Sequence, residues 1–552
     1  MNIVSYIIKA IGHKDALRFE ASTSEPASTQ DLLLKKIISA NSNTSFGKKH
    51  GFGSISDAGQ YQSKVPVFKY DGLLPFIEKS LKGETNILTA ENPIFFATTS
   101  GTTGKPKYIP VTQSSRNAKS MVMRLWMYYA SRKHPDIFNG KILSVVSPEA
   151  ESYTEKGIPC GAESGHAYKN MPAVMKKNYS VPYDVFAMDD YKSKYYILLR
   201  LALQENISFI GTCNPSTILL LCQKTTEHAP ELIRDLYEGT CAMLKESGKN
   251  LRARIMPYLK KDRARAKHLE DIMDSAGSLS PAGAWPSLAL IGCWLGGSVG
   301  IYLRDFSKYF SKETPLRDWG YLASELRGSI PIEDNTPAGI LAIETNYYEF
   351  LDEADADSGK KRFLTVSQLK KGGRYFVYPT TLAGLYRYEM NDIIEVADFY
   401  NRTPVIKFCQ KGKGVSSITG EKLYESQVVE AVSRSLEKNR LHLEFIVATI
   451  DTENLPKYVF IVEETTDKIN EEAGLALISD IDAFLRKINI EYDSKRKSSR
   501  LDRPVLKIAE RGSYDTYRKK KVSEGVPDGQ FKMLKLNSDP GFQENFKTVR
   551  TL

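Results

Sequence analysis

The chain has 552 residues, more than one simple domain at roughly 100 to 200 residues per domain, so at least two domains around a large core are expected. Hydrophobic residues make up 41% and charged residues 26%, close to soluble globular averages, which excludes a disordered or fibrous chain. The 76 Lys and Arg against 66 Asp and Glu leave a net charge of +10, a mild excess that suits anionic ligands without requiring nucleic acid.

The six cysteines never occur as Cys-x-x-Cys and the seven histidines never as His-x-x-x-His, so reduced thiols and no dedicated transition-metal site are expected. Met1 to Ile11 is only mildly apolar and lacks a small-residue cleavage site. No later run approaches the roughly 20 apolar residues needed to span a bilayer. A cytoplasmic protein without a membrane partner is the expectation.

In chain order, residues 28–40 place Leu32, Leu33, Ile37 and Ile38 on one face behind a Ser/Thr/Asp start, which predicts an amphipathic helix. Short apolar stretches at Ile94–Ala97, Ile142–Val146, Phe209–Gly211 and Leu288–Cys293 alternate with helical patterns such as Pro215–Gln223. That alternation predicts α/β layering. Lys411-Gly412-Lys413-Gly414 reads as a charged, glycine-bearing hinge, with a plain surface loop as the alternative. Beyond it, Val428, Val429, Val432 and Leu436 make a helix stripe, and Phe445–Thr449 and Tyr458–Glu463 make strands. Leu475, Ile478, Leu485 and Ile488 make a second helix and Val505–Ala509 a last strand. This order suits a small open α+β sandwich.

The chemistry concentrates in Phe95 to Pro110. An apolar strand enters Thr98-Thr99-Ser100-Gly101-Thr102-Thr103-Gly104-Lys105-Pro106-Lys107, dense in hydroxyls and glycines and closed by two lysines. Glycine lets backbone N–H groups approach oxygen anions, hydroxyls donate and lysines add charge, so the stretch reads as a phosphate cradle rather than a flexible turn. It is not a Walker A loop, because Thr99 and Pro106 stand where that motif needs Gly and Ser/Thr. Tyr321-Leu322-Ala323-Ser324-Glu325 joins an aromatic, a hydroxyl and a carboxylate behind Trp319-Gly320, a weak signal alone. Asp392, ending Tyr386-Arg387-Tyr388-Glu389-Met390-Asn391-Asp392, could accept two ribose hydroxyls or act as a cap. The basic runs at Lys495–Lys497 and Arg518–Lys521 lack aromatic interleaving and read as solvated faces, so no nucleic-acid partner is expected.

These three stretches, in this order and ahead of a compact C-terminal piece, resemble the adenylate-forming superfamily of acyl ligases and luciferases. More closely, Leu34–Phe52, Val65-Pro66-Val67 with Tyr70, Gly296-Gly297-Ser298 with Tyr302, Tyr321–Glu325, Tyr348-Glu349-Phe350 and Gly384–Tyr388 resemble the auxin-responsive Gretchen Hagen family of acyl acid amido synthetases. The resemblance runs from about residue 30 to Gln530-Phe531-Lys532. It implies an α/β fold with a large layered N-terminal adenylate-forming domain, 1–411, and a small mobile α+β C-terminal domain, 412–552.

It also implies an enzyme that adenylates a carboxylic acid with ATP and Mg2+, releases pyrophosphate and passes the acyl group to an amino acid amine. Thr98, Thr99, Ser100, Gly101, Thr102, Thr103 and Lys107 would hold phosphate, and Ser324 would contact the nucleotide phosphate. Glu325 would bind magnesium, Tyr321 would lie beside adenine and Asp392 would take the ribose hydroxyls. Lys532 would come to the reacting phosphate, and Met123, Arg124 and Trp126 would border the acyl substrate, though such a Met and aromatic stripe also suits plain core. The family has Gly before the ribose acid where this chain has Asn391, and Asn tolerates left-handed backbone. The alternatives are an acyl-CoA ligase and a non-catalytic nucleotide-binding regulatory protein of the same fold.

Overall fold

The computed structural model describes residues 3–99, 107–188, 190–244, 248–358, 360–412, 414–416, 423–443, 445–451, 456–463, 469–497, 501–524, 528, 531–537 and 539–552. They form two compact units. One is built from the residues up to Thr99, Lys107–Met390 and Ile394–Phe408, the other from Asn391–Ile393 and from Cys409 onward.

The first unit opens with helices α1 (Ile3–Ser24) and α2 (Pro26–Ala40). Pro26 takes the first position of α2, where its missing N–H costs nothing. The buried face of α2 is Pro26, Gln30, Leu34, Ile37 and Ile38. Leu32, expected inside, is 67% exposed. It lies about 200° around the helix from Leu34, and the i, i+4 row from Pro26 selects Leu34. Gln30 belongs in that row because its amide donates to the carbonyls of Ile343 (2.6 Å) and Asn346 (2.8 Å) and accepts the Tyr348 N–H (2.8 Å).

Three sheets follow. Strands β1 (Phe95–Thr99) and β2 (Lys107–Val111) form an antiparallel pair, with 159–161 parallel to β1 and 152–153 at the far edge. Strands 141–144, 207–211, 290–292 and 316–317 lie side by side, all parallel, with helices in the crossovers. Every residue of Ile207–Gly211 is buried, as a parallel strand covered on both faces requires. This is the α/β layer that the alternating apolar stretches predict. A seven-stranded sheet includes 346–352, 374–381 and β3 (Asp392–Tyr400). Its core joins Tyr348, Phe350, Val377 and Ile394 to Phe96, Ala97 and Ile109 of the hairpin.

In the second unit, helix α5 (Glu425–Lys438) buries Val428, Ala431, Val432 and Leu436. Strands β4 (Ile446–Asp451), β5 (Lys457–Glu463), β6 (Val505–Ala509) and β7 (Thr548–Thr551) form one sheet in that order, β5 and β6 parallel and the other pairs antiparallel. Strand β7 was not anticipated, because Thr548-Val549-Arg550-Thr551 is an edge strand without an apolar pattern. Helix α6 (Glu471–Ile488) buries Gly474, Leu477, Ile478, Ile481 and Leu485 and leaves the expected Leu475 47% exposed. Helix α7 (Ser513–Ser523) precedes the last segment. The basic runs meet carboxylates: Arg496 pairs with Asp482, Lys497 with Asp493 and Arg518 with Asp528. Among the described residues, no helix is long and apolar enough to cross a membrane.

The α2 geometry yields a paired expectation. Leu34→Ala should cost about 2 to 5 kcal/mol and Leu32→Ala less than about 0.5 kcal/mol. Urea unfolding of both variants checks it, and equal losses would contradict the buried face described here.

Candidate functional site

The hairpin places the first group of expected site residues. Thr99 pairs with Lys107 across β1 and β2, and Phe95 with Val111. Ser100, Gly101, Thr102 and Thr103, expected to hold phosphate, lie outside the described residues. Thr98 is buried and donates its hydroxyl proton to Glu151 (3.0 Å), so in this structure it braces the strand from behind. The Lys107 ammonium sits 5.3 Å over the Tyr70 ring, whose hydroxyl accepts the Tyr108 N–H (2.8 Å). Tyr70 thereby fixes both the direction of β2 and the lysine that opens it. After β2, Thr112 caps helix α3 (Gln113–Lys133) in a reciprocal capping box with Ser115. A strand intervenes between the loop and this helix, unlike the direct loop-to-helix passage of a Walker A motif.

The second group sits on a tight turn. Leu322 bridges Arg327 in antiparallel fashion, Gly328 N–H bonds to the Tyr321 carbonyl (2.6 Å) and Ala323 N–H to the Leu326 carbonyl (2.9 Å). Gly320, at φ 83°, starts the turn, and a Cβ there would come within 2.5 Å of the Ser329 carbonyl oxygen. No other residue fits that approach. Tyr321 is buried and lies parallel to Phe408 at 6.2 Å, while Ser324 and Glu325 are half-buried near the tip. Tyr321 and Leu326 share a core cluster with Phe96, Ala97 and Ile109, so the turn and the hairpin belong to one packed body.

Helix α3 is what holds the turn. Lys119, Met123 and Trp126 follow at i, i+4 and i+7 on one face. The Lys119 ammonium, 8% exposed, donates to the Ser324 carbonyl (2.7 Å) and pairs with Glu163 (2.8 Å), the first residue of helix α4 (Glu163–Lys169). The Trp126 indole N–H donates to the Asp318 carbonyl (2.7 Å), and its ring stacks on Trp319 at 4.3 Å. Met123 packs against the same cluster. Met123, Arg124 and Trp126, expected to border the acyl substrate, thus also have partners within the first unit. Trp126 is 1% exposed, and the Arg124 guanidinium is bonded to Asp15 of α1 (2.8 Å).

Lys119, Glu163 and Asp318 were not singled out from sequence. The only available signal was a lysine on the apolar row of an amphipathic helix, where a charge must have a buried partner.

In the second unit, Asn391 has φ 54°, the left-handed backbone that Asn was expected to tolerate, and Asp392, 2% exposed, opens β3 behind it. The Asn391 carbonyl accepts the Gly412 N–H (2.8 Å), which joins the strand start to the expected hinge segment. Lys532 is exposed on an extended stretch of the same unit.

For a divalent cation, the described residues hold no cluster of three or more His, Cys, Asp or Glu side chains suited to bind one. Glu325 is half-exposed and forms no hydrogen bond or ion pair among the described residues. A lone carboxylate of this kind fits magnesium, which keeps several waters and binds through one or two carboxylates together with substrate phosphates.

Residues 16–316 match the GH3 family N-terminal domain, 339–411 the GH3 family central domain and 426–540 the GH3 family C-terminal domain. Indole-3-acetic acid-amido synthetase GH3.10 of Arabidopsis thaliana is 25% identical over 561 aligned residues, which cover 94% of this chain and 94% of that protein. Among solved structures, the GH3.15 acyl acid amido synthetase superposes with TM-score 0.84 at 20% identity, covering 96% of this chain and 95% of that one. A 2-hydroxyisobutyryl-CoA ligase in its postadenylation state shares the fold more distantly, at TM-score 0.50 and 11% identity over 94% of this chain and 91% of that one.

Asp318 organises the glycine-rich turns that lead into Tyr321. Its carboxylate accepts the N–H groups of Leu295 (2.6 Å) and Gly320 (2.5 Å), and the Gly296 N–H also bonds to it. Burial nevertheless dominates and pushes its pKa up to about 7 from 3.8, against the lowering effect of those donors. A carboxyl that ionises less readily folded than unfolded stabilises the fold below the unfolded value, and that stability is lost as pH rises through the folded value. The loss between about pH 4 and pH 7 amounts to at most about 4 kcal/mol. Asp318→Asn should flatten the fall in urea midpoint over this interval relative to the native chain, and parallel curves would contradict the assignment.

Proposed function

Because the chain belongs to the GH3 family, whose N-terminal domain alone matches 16–316, we propose that it is a cytoplasmic AMP-forming ligase that joins a carboxylic acid to an amino acid. In the first half-reaction the acid's carboxylate oxygen attacks the α-phosphorus of ATP, the bond to the bridging oxygen breaks, and pyrophosphate leaves with that electron pair. In the second, the amino acid's amine attacks the acyl carbonyl and AMP leaves. The observation that carries this reading is coverage, since an amido synthetase aligns over 94% of both chains and so spans both halves of such a reaction.

The roles follow from electrostatics. A carboxylate meeting a polyphosphate must overcome like-charge repulsion, so the site needs N–H donors, a cation and an ammonium where negative charge accumulates. The loop from Thr99 to Thr103, with Lys107, would cradle the phosphates, and Ser324 would donate to the α-phosphate. Lys119 supports that geometry by pinning the Ser324 carbonyl (2.7 Å), which fixes the backbone on which Ser324 and Glu325 stand. Glu325 would hold Mg2+, which supplies Lewis-acid polarisation of a phosphoryl oxygen when bound. Tyr321 would lie against adenine and Asp392 would accept the ribose hydroxyls. Lys532 would meet the α-phosphate, and a hinge after residue 411 would let the C-terminal domain, 412–552, serve the two half-reactions in turn.

Acid-dependent exchange of labelled pyrophosphate into ATP tests the first half-reaction, with a panel of carboxylic acids and formation of hydroxamate as the second readout. Glu325→Gln should lower the exchange rate about 100-fold, as loss of roughly 3 kcal/mol of charge stabilisation implies. ADP as the product would defeat adenylation altogether. Amide formation with amino acids is expected in the coupled assay; a thioester formed with coenzyme A, and no amide with any amino acid, would assign the acceptor to the other class.

Lys532→Ala should reduce adenylation about 100-fold or more while leaving transfer from a chemically supplied acyl adenylate within about twofold, because no bond to pyrophosphate breaks in that step. Both half-reactions are measured on one preparation, and equal losses would indicate a defect in folding rather than in chemistry.

A further inference from the structure

The stretch that bears Lys532 is held at both ends by groups that the proposed reaction does not itself use. At its start Arg518 of α7 grips Asp528 as a two-pronged fork, Nε to Oδ1 2.7 Å and Nη2 to Oδ2 2.6 Å. At its end the buried Glu425 carboxylate accepts the Lys535 N–H. There the chain also docks on β4, where the Ala448 N–H bonds to the Lys535 carbonyl (2.9 Å) and the Asn537 N–H to the Ala448 carbonyl (2.8 Å).

Between the two ends Phe531 and Met533 pack against the cluster of Phe445, Val447, Tyr517 and Phe542, while Lys532 and Leu534 are exposed. This is the period-two alternation of an extended strand. A slip of one residue would bury Lys532 and expose Phe531.

We propose that the Arg518–Asp528 fork and the Glu425 carboxylate, anchoring the chain before and after Lys532, fix the register of residues 531–537 and thereby aim the Lys532 ammonium, which makes Arg518, Asp528 and Glu425 positioning residues for adenylation. The proposal rests on the reading that Lys532 serves that half-reaction. It also gives the first residue of the Arg518–Lys521 run a task beyond solubility. The fork matters as a fork: a lysine offers one point charge where the guanidinium offers two parallel donors.

The test uses full-length Arg518→Lys, Glu425→Ala and Glu425→Gln, each with and without Lys532→Ala. It measures pyrophosphate exchange, transfer from supplied acyl adenylate, and melting temperature. Misplacing a reacting group by about 1 Å can cost about 100-fold, so Arg518→Lys and Glu425→Ala should lower the exchange kcat roughly tenfold or more. KM for ATP and the transfer rate should stay within about twofold, and Glu425→Gln, which keeps an acceptor oxygen, should restore most of the exchange. On the Lys532→Ala background neither variant should cause a further loss, because no ammonium remains to be aimed.

Exchange that stays within about twofold in both disrupting variants overturns the proposal, as do losses that multiply with Lys532→Ala or that fall equally on both half-reactions. Normal exchange in Lys532→Ala itself removes the premise and the proposal with it. Impaired exchange in Lys532→Ala beside normal exchange in Arg518→Lys and Glu425→Ala overturns this proposal alone.

Discussion

The first unit is organised around one buried ion pair. Arg387 and Glu349 meet at 2.8 Å, with side chains 4% and 0% exposed, on segments far apart in sequence. Arg387 also donates to the carbonyls of Gln62 (2.9 Å) and Val65 (2.7 Å). Charges removed from water are tolerated only when paired and hydrogen-bonded, and deleting one partner typically costs about 3 to 5 kcal/mol. The pair therefore ties the chain near residue 65 to the seven-stranded sheet. Because Arg387 sits at φ 44° and its N–H bonds to Thr380 (3.0 Å), its backbone is fixed as firmly as its side chain. Phe68 then runs alongside Tyr388, with its N–H on the Arg387 carbonyl (3.1 Å) and its carbonyl on the Glu389 N–H (2.8 Å). The few residues from Arg387 to Asp392 inherit their path from this junction.

Much of this was legible in the sequence where a local rule and burial agree. Ile207–Gly211 is apolar throughout and is a covered parallel strand, and the hydroxyl-rich loop stands between two strands because Pro106 and Pro110 oppose an immediate helix. Asn391 adopts the left-handed backbone for which it was singled out. The apolar rows of α2 and α6 were read correctly at Ile37, Ile38, Ile478 and Leu485 but wrongly at Leu32 and Leu475, which are apolar by type while the buried rows run through Gln30 and Gly474. A glutamine that satisfies a strand and a glycine that lets another element close in carry no hydrophobic signal.

The site was less legible for a related reason. Trp126 and Arg124 were singled out as pocket residues, and their bonds to Asp318 and Asp15 within the unit could not be read from spacing. Lys119 looks like a surface charge in one dimension. Only the turn at Ser324 and the helix beginning at Glu163, brought to it by the fold, reveal it as a buried support. Pairings between distant segments set these roles, and spacing along the chain does not encode them.

The charges accordingly divide by burial into two kinds. Lys119, Asp318, Arg387 and Glu349 are inside, each paired or hydrogen-bonded, and each fixes backbone on which a site residue or its approach depends. Glu325 is half-exposed and Lys532 is exposed. A charge already buried and paired has spent that interaction on the fold, whereas an exposed one keeps water that an incoming polyphosphate can displace. A ligase that brings a carboxylate to a polyphosphate needs some groups that can meet the added negative charge and others that hold the backbone still. Burial separates the two kinds along this chain: the backbone supports are inside, and Glu325 and Lys532 keep solvent exposure.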